Sequence, residues 1–597
     1  MIRPDLHRGN PISFSPADSR SRLRLPLRRL RLVALALAIG AVGLAPASAS
    51  DRDEVSREVH KVFPWKAGQR LDIEHSNGNI RLRGQAAPEF RIDVRIRVSA
   101  SNAEEAKKFS DAIGIDIQPS AEGVSIRTRY PESHRSFFAS RQVSYAVDYD
   151  VVVPEAAGVL VRNRFGDVSA QGLKGGMEIH NGNGRLSVRD GRGSARLENS
   201  FGTVELTGNA GDVDVSNQNG TVQIADVDGV VVSRNRFGRV TVARVKKLEF
   251  SGSNADVSVS TSGPASVTTS FGAVQASGIT GDLRIQNGNG PITATGVSGQ
   301  ADLATSFGPI RFEDVKKAVR CNGTNASVSG RKAGESATVH NTFGPVELAD
   351  VAGPVDVENS NGRVILREIR GKADVRNRFG EVEGTGIAGD VAVTSQNASV
   401  SLQNVEGAVS VHNAFGGVSV SRAAHGVKVE SGNGAVSVSE SGGPVSVRTS
   451  FALVEVSKIA GDLTVNSQNG GVRVNDIKGM ANVRTSFGPV TLEGVGGAID
   501  GDNQNGSVEV REISAAKGCS RISVKTTFAP MRISLPETGG YAIHARTSFG
   551  KISSELPVAV SGNLTADSLE GRVGDGRCEV VLTNGNGNID LVKQARR

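Results

Sequence analysis

Positive charge gathers at two fixed places beside a recurring Phe: Arg162, Arg164, Arg234, Arg236, Arg376, Arg378, Arg448 and Arg484, with His340 and His412 in equivalent positions. Guanidinium groups repeated along one line form a weak contact strip for acidic glycans or lipid head groups, with charges about 9.6 Å apart if the line follows stacked strands. The plainer reading is a solvated, charge-balanced face, because Glu358, Glu430 and Asp502 fall on the same line.

Catalytic chemistry finds less support. The nine His are scattered, and the repeats contain no His-Glu-x-x-His and no nucleophile elbow. The Asn-Gly-Asn-Gly stretches at 181, 287 and 584 lack the repeating Asp of calcium-binding nonapeptides and the Lys of a phosphate loop, so they read as corners. No paired-Cys zinc motif is present. Cys321 reads as a core residue standing in for Val, while Cys519 and Cys578 could pair in an oxidising compartment. No residue is assigned a catalytic, metal-binding or cofactor-binding role.

The elements that position the arginines come from a repeat. Ten Phe from Phe165 to Phe487 are spaced by 36 residues in eight of nine gaps, and ten Asn from Asn183 to Asn505 fall midway between them. The unit is therefore about 18 residues, with Phe and Asn alternating at one marked position. Counting from that mark, position −6 is apolar in all twenty units, −4 in eighteen, and +3 is Val, Ile or Leu in all twenty. Most units add apolar residues at +5 and +8. Spacing of two on either side of the mark is the strand period, so each unit is two short strands with a corner between them.

Position +1 is Gly in sixteen units and Ala at 255, 326, 398 and 452, which reads chiefly as lack of room rather than a strict need for a left-handed backbone. A second Gly recurs at +10 in fourteen units and closes the coil. Position −2 of the Phe units is always Asn or Thr, as in Asn163, Thr305 and Asn377. By the strand period it shares the inward face with the Phe. The expectation is a buried polar ladder bracing the turns and Phe rings packed in the core; rings facing out would instead make an apolar strip.

Stacked units of this kind bury a continuous core. The fold expected is all-β, a parallel β-solenoid with about 18 residues per coil over residues 156–514, a 36-residue coil being the alternative. Residues 50–155 read as a β-rich N-terminal cap with one short helix, begun by a capping box at Ser101 and Glu104. Residues 515–597 read as irregular C-terminal coils and a second cap. Asn77-Gly78 already resembles a repeat corner.

Residues 1–49 have the parts of an export signal: an Arg-rich start, an apolar run from Leu32 to Ala45, and Ala47-Ser48-Ala49 at the exit. About fourteen apolar residues fall short of the ~20 that a spanning helix needs. The chain's formal charge is +7, but the leader carries +6 of it, leaving a mature chain of +1. That balance excludes nucleic-acid binding built on the overall charge. Export to the periplasm, cell surface or medium is expected, with no transmembrane segment in the mature chain.

The opening of the mature chain, the Asn-Gly and Ser-Phe-Gly corners and the alternating Val runs resemble the bacterial putative-adhesin family of β-strand-repeat envelope proteins. The resemblance implies an extracytoplasmic β-solenoid and carries over no catalytic residue. Two function classes follow. One is a noncatalytic envelope scaffold, adhesin-like or self-associating, with acidic glycan or an envelope surface as a weak partner. The other is a polysaccharide-acting lyase or hydrolase, an analogy of fold alone. Glycosidases need two carboxylates ~5 to 9.5 Å apart, and no isolated acid cluster breaks the repeat. One Trp and four Tyr also leave little surface for sugar stacking.

Overall fold

Six side chains of each unit point inward. In the unit marked by Phe415 they are Val409, Val411, Asn413, Val418, Val420 and Ala423, each at most 2% exposed. The residues between them face solvent, so the strands Val409–Phe415 and Val418–Ala423 are each half-buried with the period of two that their sequence shows. Val409 pairs in parallel with Val391 on one side and Val427 on the other, and Val418 with Val400 and Val436. Every partner is 18 residues away, which establishes the 18-residue coil and removes the 36-residue alternative. The structure, a computed structural model, describes residues 53–131, 143–513, 520–561 and 565–594. Residues 1–49, expected to be an export leader, lie outside the described residues.

Two corners turn each coil. At the first, Gly416 has φ +111° and an added Cβ would lie 2.2 Å from the carbonyl oxygen of Ala398 in the coil before it. Most corner glycines therefore answer to conformation as well as to the lack of room that was expected to be the chief constraint. The second corner has no constant residue, yet its backbone is constant. The residue seven after the mark is left-handed in all twenty units, and fourteen of these are not glycine, including Arg422 (φ 55°), Lys458 (φ 57°) and Asp476 (φ 56°). The glycine three residues further on is chosen for closeness: a Cβ on Gly211 would lie 2.6 Å from the carbonyl oxygen of Gly193.

The Phe rings do not pack in the core. Alternation holds up to the inward residue at −2 and then breaks, so that −1 and the mark both face out as the chain rounds the corner. Phe165 is 56% exposed, Phe307 51% and Phe451 53%. Their assignment to the core rested on carrying the period of two through a bend, where it no longer applies.

The coil stack uses chain segments out of sequence order at both ends. Arg70–Glu74 and Ile80–Gln85 form a coil that stacks directly on Gly158–Phe165 and Val168–Gln171. Its corner at Asn77 bridges to Phe165. Beyond it lie Gly123–Arg129 and Ser144–Pro154. The latter continues through antiparallel Glu89–Ala100 to Asp53–Pro64, and Gly123–Arg129 carries antiparallel Gly114–Ser120. The helix Ala103–Ala112 packs on this cap. Its N-cap is Asn102, whose side chain accepts from the Glu105 backbone N–H, one residue later than the sequence pattern indicated.

At the other end, Ile522–Phe528 stacks on Ile499–Asn505, followed by Cys578–Asn586 and only then by Tyr541–Phe549. Antiparallel Ser568–Val573 covers the last strand. Antiparallel strands thus close both parallel stacks at the N-terminal end and the Tyr541–Phe549 stack at the other.

Candidate functional site: the Phe-Asn edge and the arginine line

The outward corner residues stack in register to make a single edge. Asn183 pairs with Phe165 on one side and Phe201 on the other, and the alternation continues coil by coil to Phe487 and Asn505. It also survives where sequence order does not. Phe528 and Phe549 both pair with Asn586, which lies between them, and Asn77 precedes Phe165. The edge therefore runs Asn, Phe, Asn, Phe from Asn77 to Phe549 without a break, carrying twelve exposed Phe. At ~4.8 Å per coil, rings recur every ~9.6 Å over a length of ~110 Å. The sequence showed the corner motifs but not the spatial order that puts Asn586 between Phe528 and Phe549.

Behind the edge lies the polar ladder, as expected. Asn377 Nδ2 donates to the carbonyl oxygens of Gly362, one coil earlier, and Gly380, in its own corner, at 3.0 and 2.9 Å. Asn503 does the same to Gly488 and Gly506 at 3.0 and 2.9 Å. Where Thr replaces Asn, its hydroxyl donates to its own corner, as from Thr305 to the Phe307 carbonyl at 3.0 Å. The ladder ties adjacent corners together and so fixes the spacing of the rings.

The eight predicted arginines divide by position. At −3, Arg162 lies 3.5 Å from Asp72, Arg234 2.7 Å from Asp214, Arg376 2.9 Å from Asp374 and 3.4 Å from Asp356, and Arg484 3.7 Å from Asp500. Arg448 is in register with Glu430. His340 and His412 face Glu358 and Glu430 at 3.2 and 3.4 Å. At −1, Arg164, Arg236 and Arg378 stand beside the Phe row, and the Arg236 guanidinium sits 5.8 Å from the Phe237 ring centre. The line is spread along the rod and interleaved with carboxylates; it does not converge on one point.

Other polar groups are structural. His75 occupies the −2 position of the Asn77 coil, 2% exposed, 3.0 Å from the Thr128 hydroxyl and against the Tyr149 ring. Burial pushes its imidazole down to about 4. Cys321 is fully buried at its Val-like position, and burial pushes its thiol up. Cys578 is disulfide-bonded, while Cys519 lies outside the described residues. Among the described residues no group of three or more His, Cys, Asp and Glu is placed to hold a metal ion, and no helix is long and apolar enough to cross a membrane.

No family model and no curated protein matches the chain. Among solved structures, a putative cell adhesion protein from Clostridium sporogenes aligns at 7% identity, covering 90% of this chain and all of that one. The TM-score is 0.12, so that alignment carries no argument about this chain.

Proposed function

We propose that this protein is a noncatalytic, exported β-solenoid that serves the cell envelope as an adhesin-like or scaffold protein. The observation that supports the reading is the form of its outward chemistry: twelve exposed Phe recur at every second coil and the arginines are scattered along the stack, not gathered into one cleft. A reaction needs a few groups converging on one substrate, whereas a repeated row suits an extended partner. The leader expected over residues 1–49 supports work outside the cytoplasm.

The test is fractionation and protease shaving of washed cells, with terminal sequencing of the product. A mature terminus near Ser50 and loss of the protein on shaving support the envelope role; an intact Met1 on a cytosolic protein removes it. Incubation with a polysaccharide panel addresses the enzymatic alternative. Release of reducing or unsaturated sugar ends, abolished by replacing one carboxylate, would establish catalysis instead.

A further inference from the structure

The geometry points to a second copy of this chain as the partner of the Phe-Asn edge, docked antiparallel so that each ring of one copy enters the gap over an Asn of the other. This deepens the scaffold reading by naming a partner.

Spacing is the first argument. Rings ~9.6 Å apart on one copy are too distant to stack on one another, and the Asn between them is smaller and is followed by a Gly or Ala. A ring inserted midway would have neighbours at ~4.8 Å on both sides, within the ~4.5–7 Å range of favourable aromatic pairs. A second copy supplies rings at the required repeat automatically.

Symmetry selects the direction. A two-fold axis along the rod would set Phe against Phe and Asn against Asn. An axis perpendicular to the rod interlocks the rows only if it passes between a Phe level and an Asn level. The row starts with Asn77 and ends with Phe549, so complete overlap meets that condition, with the axis between Phe343 and Asn361.

Charge agrees with this register. At −1 and +2, flanking the row, ionisable residues such as Arg164, Arg236, Asp256 and Arg363 occur at some levels only. Reflection through the proposed axis puts every one of them opposite an uncharged level; Arg363, for example, meets the level of Thr342 and Pro345. The nearest like charges across the contact are Arg363 and its symmetry mate, one level apart, and each Arg363 is already paired with Glu381 and Glu383.

Area is sufficient. A Phe side chain offers on the order of 200 Å², so twelve half-exposed rings present about 1,200 Å² per copy. Two copies exceed the ~1,200–2,000 Å² total of a stable interface.

Sedimentation of the purified protein across micromolar concentrations should show a reversible dimer that survives raised salt. Phe343→Ser with Phe379→Ser should weaken it at least tenfold. Asn361→Phe with Asn325→Phe should also weaken it, because the gaps are filled; the fold accepts Phe at this position in alternate coils. Association strengthened by these Asn→Phe changes would overturn interlocking in favour of unspecific apolar adhesion. Spin labels at Ser360→Cys should lie within about 20 Å across the dimer and labels at Ser270→Cys about 43 Å apart. Short distances at both sites would overturn the antiparallel arrangement. A monomer at every concentration, or a monomer whose Phe row binds a polysaccharide instead, would overturn the proposal. Neither result bears on cell-surface location, so the envelope role stands or falls separately.

Discussion

The ring of Phe312 occupies the space that a side chain on Gly330 would need: a Cβ added there would lie 1.9 Å from Cζ. Both residues sit at the inward +5 position of consecutive coils, where Val or Leu is usual, and they pair in register. One coil is overfilled and the next is emptied to match. Gly330→Val alone should destabilise by about 1–3 kcal/mol through overpacking, and Phe312→Val alone should leave a void. The double variant restores the ordinary Val-on-Val stack and should recover most of the loss. Urea titration in which the two changes simply add would remove this account.

The two kinds of corner glycine should separate on substitution. Gly296 has φ +65° but no atom within 3.6 Å of an added Cβ, so Gly296→Ala should cost only the left-handed backbone term, about 1–2 kcal/mol. Gly290 has φ +147° and the Gly272 carbonyl oxygen 2.1 Å from the added Cβ. Gly290→Ala should cost more and shift the local register, because the chain must move. Equal losses in thermal or urea unfolding would contradict the distinction.

The polar ladder predicts tolerance for a hydroxyl and intolerance for a methyl. Asn377→Thr keeps a donor for the corner and matches neighbouring solutions such as Thr305, so a loss below about 1 kcal/mol is expected. Asn377→Val removes the donor to the Gly362 and Gly380 carbonyls and should cost about 1–3 kcal/mol. Indistinguishable stabilities for the two variants would mean the ladder contributes shape only.

His75 gives the N-terminal cap an acid-sensitive point. The native state keeps this imidazole neutral down to about pH 4, with Tyr130, Tyr149 and the more remote Asp148 facing it, whereas the unfolded chain protonates near 6.5. Between those values the unfolded state binds more protons, so stability falls as pH falls through the window, by roughly 3 kcal/mol at its lower end. His75→Asn installs the residue used at this position in many coils and should flatten that part of the profile. Trp65 reports on the same cap by fluorescence, and an unchanged difference between pH 7 and pH 4.5 would exclude His75 as its source.

Much of this was legible in the sequence because stacking forces each coil to repeat its neighbour. The apolar positions, the corner glycines and the inward Asn or Thr all declare themselves by recurrence. The direction of the Phe ring did not, since Phe307 and Thr305 are two residues apart and look equivalent until the bend intervenes. The second corner was invisible for a different reason: its left-handed backbone is held by Arg422, Lys458, Asp476 and six glycines alike, so no residue type marks it. The interleaving of Asn586 between Phe528 and Phe549 depends on long-range pairing that residue spacing cannot carry.

The arginine line should bind anionic surfaces weakly, and only at low salt. Arg376 already shares two carboxylates and Arg234 one, so little of the line's charge is free for a partner. Exposed pairs of this kind contribute at most about 1 kcal/mol each, so an anionic membrane can compete for them only while its potential is unscreened. The Debye length of ~8 Å at physiological ionic strength is shorter than the ~9.6 Å between alternate coils, so arginines on different coils, of which Arg448 and Arg484 are the nearest, act almost independently there. Replacing Arg376, Arg378, Arg448 and Arg484 by Ser should abolish binding to vesicles rich in anionic lipid at low salt without changing the unfolding midpoint appreciably. It should leave association through the Phe row intact, and that association should persist as salt is raised. Vesicle binding that survives both the four substitutions and physiological salt would move the contact away from this line, to the aromatic edge or the caps.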